Sequence, residues 1–329
     1  MKTFSNANAR DLKQAATLSA EARRGGRTPA FAGAGSDLLA LVKERIVEPD
    51  VIVHLRNIAG LDQVTASGGG VAIGGQITLD TLASNPTIRK DYAVLAEAAG
   101  TVATPQIRNV GTLAGNLCQR PWCWYFRNGF PCFKAGGNQC FSASGENQFH
   151  AIFGGGPSFI VHPSDTAPAM VALGATFRVV GPSGERTVPA SDFFVLPKQN
   201  AARENSLKDD EVLASVQLPA PRAGTRSTYY KVMDREAWTH AVVSSAIVLE
   251  MDGETCWSAR VVLGGVAPIP WRVPEAEKML AGQRVTPELA AKAAEAAIAG
   301  AQPLAKNKYK VPLTKTIVER TVLGLARRA

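Results

Sequence analysis

The chain has 329 residues, of which 46% are hydrophobic and 19% are charged, and its formal net charge is +8. These values are typical of a globular protein long enough for two or three domains. We expect no membrane span, because no apolar segment reaches the roughly 18 to 20 residues required, and no secretory signal. The basic residues are scattered without long runs, which disfavours nucleic acid as a partner.

The first predicted elements form a helix, a strand, a turn and a second helix. The helix is predicted at 9–24 and the strand at 29–32. The turn Gly33-Ala34-Gly35-Ser36-Asp37 then leads into a helix that starts at Leu38. Backbone N–H groups that converge on a turn of such small side chains can bind a pyrophosphate. A plain tight turn is an equally good interpretation of these residues alone.

The middle of the chain is predicted to mix strands and helices. Strands are expected at 51–55, 70–77, 158–162, 175–180 and 211–218, and helices at 91–102 and 167–173, the latter capped by Pro163-Ser164-Asp165. The segment 104–116, TPQIRNVGTLAGN, places Thr112 and Asn116 among the small residues Gly111, Ala114 and Gly115. These polar groups are suited to contact a ligand at close range. A turn that packs helices together is the alternative.

The stretch PAPRAG at 219–224 is the strongest candidate for a domain boundary. Two long apolar strands are predicted beyond it, at 241–251 and 258–263. Two helices finish the chain, one from the N-cap Thr286 to Ala299 and one near 314–327.

Four of the five cysteines, Cys118, Cys123, Cys132 and Cys140, fall within 23 consecutive residues that are rich in aromatic side chains. Their spacing fits the paired ligands of zinc poorly, and a disulfide requires an oxidising compartment. Thiolates on an irregular loop beneath aromatic side chains are typical of iron–sulfur clusters, which we favour over zinc and over uncoordinated or disulfide-bonded cysteines. Cys256 stands apart and is predicted to be a core residue.

The chain lacks the sequence signatures of bond-making catalysis. Its four histidines stand in unrelated contexts, and no G-x-S-x-G, H-E-x-x-H or Walker sequence occurs. The turn at 33–35 also differs from the G-x-G-x-x-G fingerprint of Rossmann dinucleotide sites. Two candidate anion-binding turns and a metal cluster, without acid–base groups, indicate that electrons move through this chain.

Four motifs resemble the flavoprotein subunit, the FAD-binding medium subunit, of the molybdenum hydroxylase (xanthine oxidase) family. They are AGAGSDLL (32–39), TPQIRNVGTLAGNL (104–117), HPSDTAPAM (162–170) and YYKVMDR (229–235). Their order and spacing extend the resemblance over essentially the whole chain. It implies an α+β fold in which a two-part FAD-binding domain of the PCMH type precedes a smaller C-terminal α+β domain of the CO dehydrogenase flavoprotein type.

On this resemblance the FAD-binding domain covers 1–222, with subdomains of about 1–55 and 56–222 and an iron–sulfur loop at 118–150. The C-terminal domain covers 223–329. The resemblance implies FAD contacts from the first loop, at Ala32, Gly33, Ala34, Gly35, Ser36, Asp37 and Leu38. It implies further contacts from the second segment, at Thr104, Gly111, Thr112, Gly115 and Asn116.

Three further residues receive FAD-related roles from the resemblance. It implies that Asp165 holds the ribityl or ribose hydroxyls, that Lys231 lies near the flavin ring, and that Leu207 contacts the cofactor. From the residues alone, a helix cap for Asp165 and a solvated strand end for Lys231 are the plainer interpretations.

Most subunits of this family lack the cysteine insertion. Its presence resembles two subgroups, the periplasmic aldehyde oxidoreductases and 4-hydroxybenzoyl-CoA reductase, whose flavoprotein subunits carry an added [4Fe–4S] cluster. The pattern CWYF…PC…C is closer to the first. The resemblance implies Cys123, Cys132 and Cys140 as cluster ligands. We prefer His150 as the fourth ligand and keep Cys118 as its competitor, since imidazole can also ligate such iron.

The resemblance also implies a heterotrimer. A large molybdopterin subunit would oxidise the substrate, and a small [2Fe–2S] subunit would pass electrons to FAD on this chain, from which an external acceptor would take them. The expected location is the cytoplasm, or the periplasm if a partner's signal exports the folded complex. Two rival hypotheses are a free-standing flavin oxidoreductase of the same fold and a metal-stapled binding or sensor protein.

Overall fold

The protein folds around three β-sheets in a computed structural model that describes residues 1–327. Its first elements are β1 (Ser5–Asn8), α1 (Leu12–Arg24), β2 (Pro29–Ala32), α2 (Leu38–Lys43) and β3 (Val51–His54). The three strands are parallel, in the order β1-β3-β2. Helix α1 begins after Asp11, whose side chain accepts a hydrogen bond from the Gln14 N–H at 2.7 Å. The turn at 33–37 therefore lies at the carboxyl edge of this sheet.

The second sheet is antiparallel, and helices cover it. Its strands are β4 (Val64–Ser67), β5 (Gly70–Gly74), β6 (Thr176–Gly181), β7 (Gly184–Pro189) and β8 (Val212–Leu218), in the order β4-β5-β8-β6-β7. The helices of this region are α3 (Leu79–Ser84), α4 (Pro86–Asp91), α5 (Ala93–Gly100), α6 (Pro105–Arg108), α7 (Leu113–Leu117), α8 (Trp124–Arg127), α9 (Thr166–Ala172) and α10 (Ala190–Phe193). Helix α5 is buried almost all round, with Val94, Leu95 and Ala98 fully inaccessible.

The third sheet contains the C-terminal strands. These are β9 (Thr225–Val232), β10 (Val243–Asp252), β11 (Thr255–Gly264), β12 (Trp271–Arg272) and β13 (Gln283–Arg284), and the helices are α11 (Pro274–Leu280), α12 (Pro287–Ile298) and α13 (Lys310–Ala326). The sheet is antiparallel in the order β12-β11-β10-β9, and β13 pairs with β11.

Helices cover both faces of the third sheet. Along β10, Ala246 and Val248 join the core that contains α5 and α9, whereas Ile247 and Leu249 join the core that contains α12 and α13. Side chains alternate between the two faces of a strand, so a strand buried on both faces is apolar throughout. This explains why 241–251 is largely apolar in the sequence, although Ser244, Ser245 and Glu250 interrupt it.

The α+β fold class and the order of most predicted elements are confirmed. The strand expected at 158–162 is wrong, because this segment is irregular and makes isolated backbone hydrogen bonds, such as the one from His162 N to Ala267 O at 2.9 Å. Asp165 does not cap α9 with its side chain. Cys256 is a fully buried core residue, as predicted. Within residues 1–327, no helix is both long and apolar enough to cross a membrane.

A buried lysine joins α13 to the two loops in front of it. Lys310 is completely inaccessible, and its ammonium group donates to Phe149 O at 2.9 Å and to Gly265 O at 2.7 Å. Burial lowers the pKa of Lys310 from its ordinary 10.5 to about 7. The charged form is therefore disfavoured in the folded protein relative to the unfolded chain.

We expect Lys310 to make stability rise with pH between pH 7 and 10. In this window the unfolded chain binds a proton at Lys310 that the folded chain releases. The free energy of unfolding therefore rises by up to about 1.4 kcal/mol per pH unit. The melting temperature of the wild type should increase relative to that of Lys310→Met between pH 7 and pH 9. The exposed Lys308→Met serves as control and should show no such trend. A constant difference between wild type and Lys310→Met would contradict the assignment.

Candidate functional site

A cleft of about 430 Å³ opens where the N-terminal loops meet the cysteine-containing segment and the β9–β10 connection. Its walls come from several stretches of the chain. They include Ser36 and Asp37; Gly111, Thr112 and Asn116; Trp122, Cys123 and His150; His162, Ser164 and Asp165; and Asp234, Trp238 and His240. Residues from both small-residue segments of the sequence analysis thus line one cavity.

The turn after β2 offers a row of free backbone donors. The amide groups of residues 33–38 donate no hydrogen bond to any other residue within 1–327. Gly33 packs so closely on the second segment that a Cβ atom there would lie 2.8 Å from Thr112 Oγ1 and 2.9 Å from Gln76 Oε1. Gly35 has a φ of +77°, which favours glycine. Free amides beside the small residues Gly33, Ala34 and Gly35 are suited to binding an anion.

The second segment is held by its own polar side chains. Thr112 caps α7 by accepting a hydrogen bond from the Gly115 N–H at 3.1 Å. Asn116 is buried, and its side-chain oxygen accepts from Ser164 Oγ and Thr166 Oγ1, both at 2.6 Å. Thr112 therefore stabilises this part of the cleft wall from within, and Asn116 joins it to the segment that starts α9.

Asp165 lines the cleft, but its carboxylate is already paired. One oxygen accepts from Tyr229 Oη and the other from Lys231 Nζ, each at 2.7 Å, and both members of the ion pair are buried. Lys231 also donates to Thr101 O at 3.0 Å. The plain interpretations, a helix cap for Asp165 and a solvated strand end for Lys231, are both wrong.

Some of the predicted cofactor residues lie outside the cleft lining. Lys231 sits behind Asp165, and Thr104 caps α6 through its hydroxyl, 3.4 Å from Ile107 N. Leu207 lines a separate depression beside Arg23. The cleft lining thus includes Ser36, Asp37, Gly111, Thr112, Asn116 and Asp165. It excludes these three residues, together with Ala32, Gly33, Ala34, Gly35, Leu38 and Gly115.

The cysteine-containing segment divides into two environments. Cys123 and Cys132 pack in a small cluster with Phe126 and Phe141, and Cys123 Sγ lies 3.3 Å from His150 Nε2. Burial, with smaller contributions from the nearby Cys132 and Cys140, raises the pKa of Cys123 to about 11. By contrast, Cys118 packs against the large core of the second sheet.

His150 and Cys140 have the polar surroundings of candidate ligands. Burial lowers the pKa of His150 to about 4, which keeps the imidazole neutral, and its Nδ1 has no hydrogen-bond partner within residues 1–327. Cys140 Sγ is 3.1 Å from Ser142 Oγ and 3.5 Å from the Phe159 amide. In the described part of the chain, no group of three or more His, Cys, Asp or Glu side chains is close enough to hold a single metal ion.

Buried ion pairs, which sequence reasoning missed, tie this segment to the rest of the protein. Arg127 of α8 donates to Asp37 at 2.7 Å, and its guanidinium group lies 4.2 Å from the centre of the Trp122 ring. Glu204 pairs with Lys134 at 3.0 Å and with Arg120 at 2.8 Å. These partners are separated by 70 to 90 positions, and no local pattern reveals such a pairing.

Comparisons with known proteins agree with this architecture. A family described as the FAD binding domain in molybdopterin dehydrogenase matches residues 2–221, and the CO dehydrogenase flavoprotein C-terminal domain matches residues 228–325. The aldehyde oxidoreductase FAD-binding subunit PaoB of Escherichia coli is 36% identical, with 99% of each chain covered. The carbon monoxide dehydrogenase medium chain of Hydrogenophaga pseudoflava is 28% identical over 88% of this chain and 86% of that one.

The solved structure of quinoline 2-oxidoreductase from Pseudomonas putida 86 matches with a TM-score of 0.77 and 26% identity over 99% of both chains. The two family matches define an FAD-binding flavoprotein with a C-terminal domain of the CO dehydrogenase flavoprotein type. The chain belongs to the family of FAD-binding medium subunits of molybdenum hydroxylases, and it is an oxidoreductase component.

We expect Gly33→Ala to weaken FAD binding by about tenfold or more. The added methyl group would displace Thr112, which caps α7, and Gln76 from beneath the turn. Titration of the FAD-free protein with FAD, followed by flavin fluorescence, measures the change. Gly25→Ala is the control, because its Cβ would meet its nearest atoms at 3.5 Å and its φ is −82°. Equal affinities for both variants would contradict this role of Gly33.

Proposed function

We propose that this chain is the electron-transfer subunit of a molybdopterin-dependent hydroxylase of the aldehyde oxidoreductase kind. It would receive electrons from a small [2Fe–2S] subunit and deliver them through FAD to an external acceptor, with a [4Fe–4S] cluster as an additional redox centre. The observation that carries the proposal is the shared cleft: Cys123 and His150 line the same cavity as the anion-binding turn. Flavin and cluster would then be close neighbours.

The residues of the cleft fit FAD. The free amides of residues 33–38 supply donors for the pyrophosphate, and the close approach at Gly33 keeps bulk out of its way. The side-chain oxygen of Gln119, which lines the cleft, is buried and has no partner within residues 1–327. FAD supplies the one- and two-electron chemistry, while the protein binds and orients it and limits access of water.

We assign Gly111, Thr112, Gly115 and Asn116 to the second FAD-contacting segment. Thr112 and Asn116 act by holding its backbone in place, given their hydrogen bonds to Gly115 and to the start of α9. Asp165 would present its paired carboxylate to the ribityl or ribose hydroxyls, since each oxygen can still accept a second hydrogen bond.

The cysteine-containing segment fits an iron–sulfur cluster by the chemistry of its donors. Cys123, Cys132 and Cys140 would supply three thiolates, with apolar and aromatic cover that limits solvent. The amide and hydroxyl contacts at Cys140 would lower the electron density on its sulfur. A cluster of four irons holds its ligands farther apart than a single ion does, so Cys123 Sγ and His150 Nε2, which are 3.3 Å apart here, would separate when the cluster binds.

His150 is the better candidate for the fourth ligand. It is neutral and faces Cys123 at 3.3 Å, whereas Cys118 belongs to a different packing cluster. We further propose that the two family matches mark two domains, at 1–222 and 223–329, and that the partners are a large molybdopterin-binding and a small [2Fe–2S] subunit. This last point is supported by relatives that are named medium chains of larger enzymes.

An absorption spectrum and iron analysis of the purified chain test the proposal. We expect flavin bands above a broad iron–sulfur shoulder, and about four iron atoms per chain. Cys123→Ser and His150→Ala should lose most of the iron, while the control Cys118→Ala should keep it.

The possible failures are distinct. A chain with flavin but no iron would contradict the proposed [4Fe–4S] cluster and leave the proposed FAD site standing. A colourless protein that contains zinc would contradict the whole proposal. Iron loss in Cys118→Ala but not in His150→Ala would show that Cys118, and not His150, is the fourth ligand.

A further inference from the structure

One buried imidazole in the cleft wall has no role in the function proposed above. His162 is 5% exposed and lines the cleft three positions before Asp165. Its ring packs edge-on against Phe194, with centroids 4.8 Å apart at 80°, and its backbone N–H donates to Ala267 O at 2.9 Å. The side chain is therefore held in one position.

Its local contact fixes which ring nitrogen carries the hydrogen. The Ser164 backbone N–H donates to His162 Nδ1 at 3.3 Å, so Nδ1 is an acceptor. Burial lowers the pKa of His162 to about 3, with a smaller contribution from Lys134, and the ring is neutral. A neutral imidazole with an accepting Nδ1 carries its hydrogen on Nε2.

This Nε2–H group has no acceptor in the described part of the chain. It is buried, and no atom of residues 1–327 accepts its hydrogen bond. A buried donor without an acceptor destabilises a fold, and native proteins rarely keep one unless a ligand or a water satisfies it. The neighbouring carboxylate of Asp165 accepts hydrogen bonds from Tyr229 and Lys231 and makes none with His162 Nε2.

We propose that His162 Nε2–H donates a hydrogen bond to FAD bound in the cleft, and so positions the cofactor. The inference rests on the proposed function, in which FAD occupies this cavity. FAD offers several acceptors to a neutral donor: the carbonyl oxygens and unprotonated ring nitrogens of the isoalloxazine system, the adenine nitrogens, and the ribityl, ribose and pyrophosphate oxygens. His162 acts as a fixed donor, and no proton leaves it.

Two amide variants separate this role from the contact with Ser164. Asparagine places its amide near the position of Nδ1, so His162→Asn can keep the Ser164 contact but loses the donor at Nε2. Glutamine reaches the position of Nε2, so His162→Gln keeps a donor there and loses the contact with Ser164. If His162 acted only through its contact with Ser164, His162→Gln would weaken FAD binding more than His162→Asn.

The experiment is a titration of the FAD-free full-length chain with FAD, together with the melting temperature of each FAD-free variant. We expect His162→Asn to weaken FAD binding about tenfold and His162→Gln to stay within about threefold of the wild type. The melting temperatures of the FAD-free variants should not fall in the same order as their FAD affinities.

Two results would overturn the proposal: wild-type affinity in His162→Asn, as expected if a water satisfies Nε2, or a larger loss in His162→Gln than in His162→Asn. Failure of the proposed function has a separate signature, because the wild-type chain itself would then not bind FAD.

Discussion

The geometry of the cleft depends on one buried ion pair. Lys231 and Asp165 are both shielded from water, and neither charge is tolerable there without the other, so removing one partner of such a pair typically costs about 3–5 kcal/mol. The pair fixes β9 against the start of α9. The same segment holds the Asn116 carboxamide through Ser164. The Lys231–Asp165 ion pair thereby helps to set the distance between the third sheet and the segment proposed as the second FAD contact.

A second set of charges places the cysteine-containing segment. Arg127 reaches Asp37 at the edge of the anion-binding turn, and Glu204 joins Lys134 to Arg120. These ion pairs are largely shielded from water. Their contribution to the free energy of folding therefore depends more strongly on their geometry than that of exposed pairs does. The proposed cluster and the proposed flavin site therefore share a wall whose two halves cannot shift independently.

Much of the fold was predictable from the sequence, and the ion pairs were not. The strand at 29–32 and the helix start at Leu38 were found because local periodicity and small turn residues specify them. The segment 158–162 has strand-like composition, but no neighbouring strand pairs with it, and only tertiary structure decides that. Asp165 resembled a helix cap because its partner, Lys231, lies 66 positions away. The orphaned nitrogen of His162 likewise has no signature in the sequence.

The anchoring of residues 146–150 has a consequence for protein engineering. Asn307 donates to His150 O at 3.0 Å and Tyr309 to Gln148 O at 2.8 Å, both from just before α13, and Lys310, the first residue of α13, donates to Phe149 O. The cysteine-containing segment therefore depends on contacts with the C-terminal part of the chain. Grafting it onto another scaffold would require the transfer of these three C-terminal residues as well, although they lie more than 150 positions downstream.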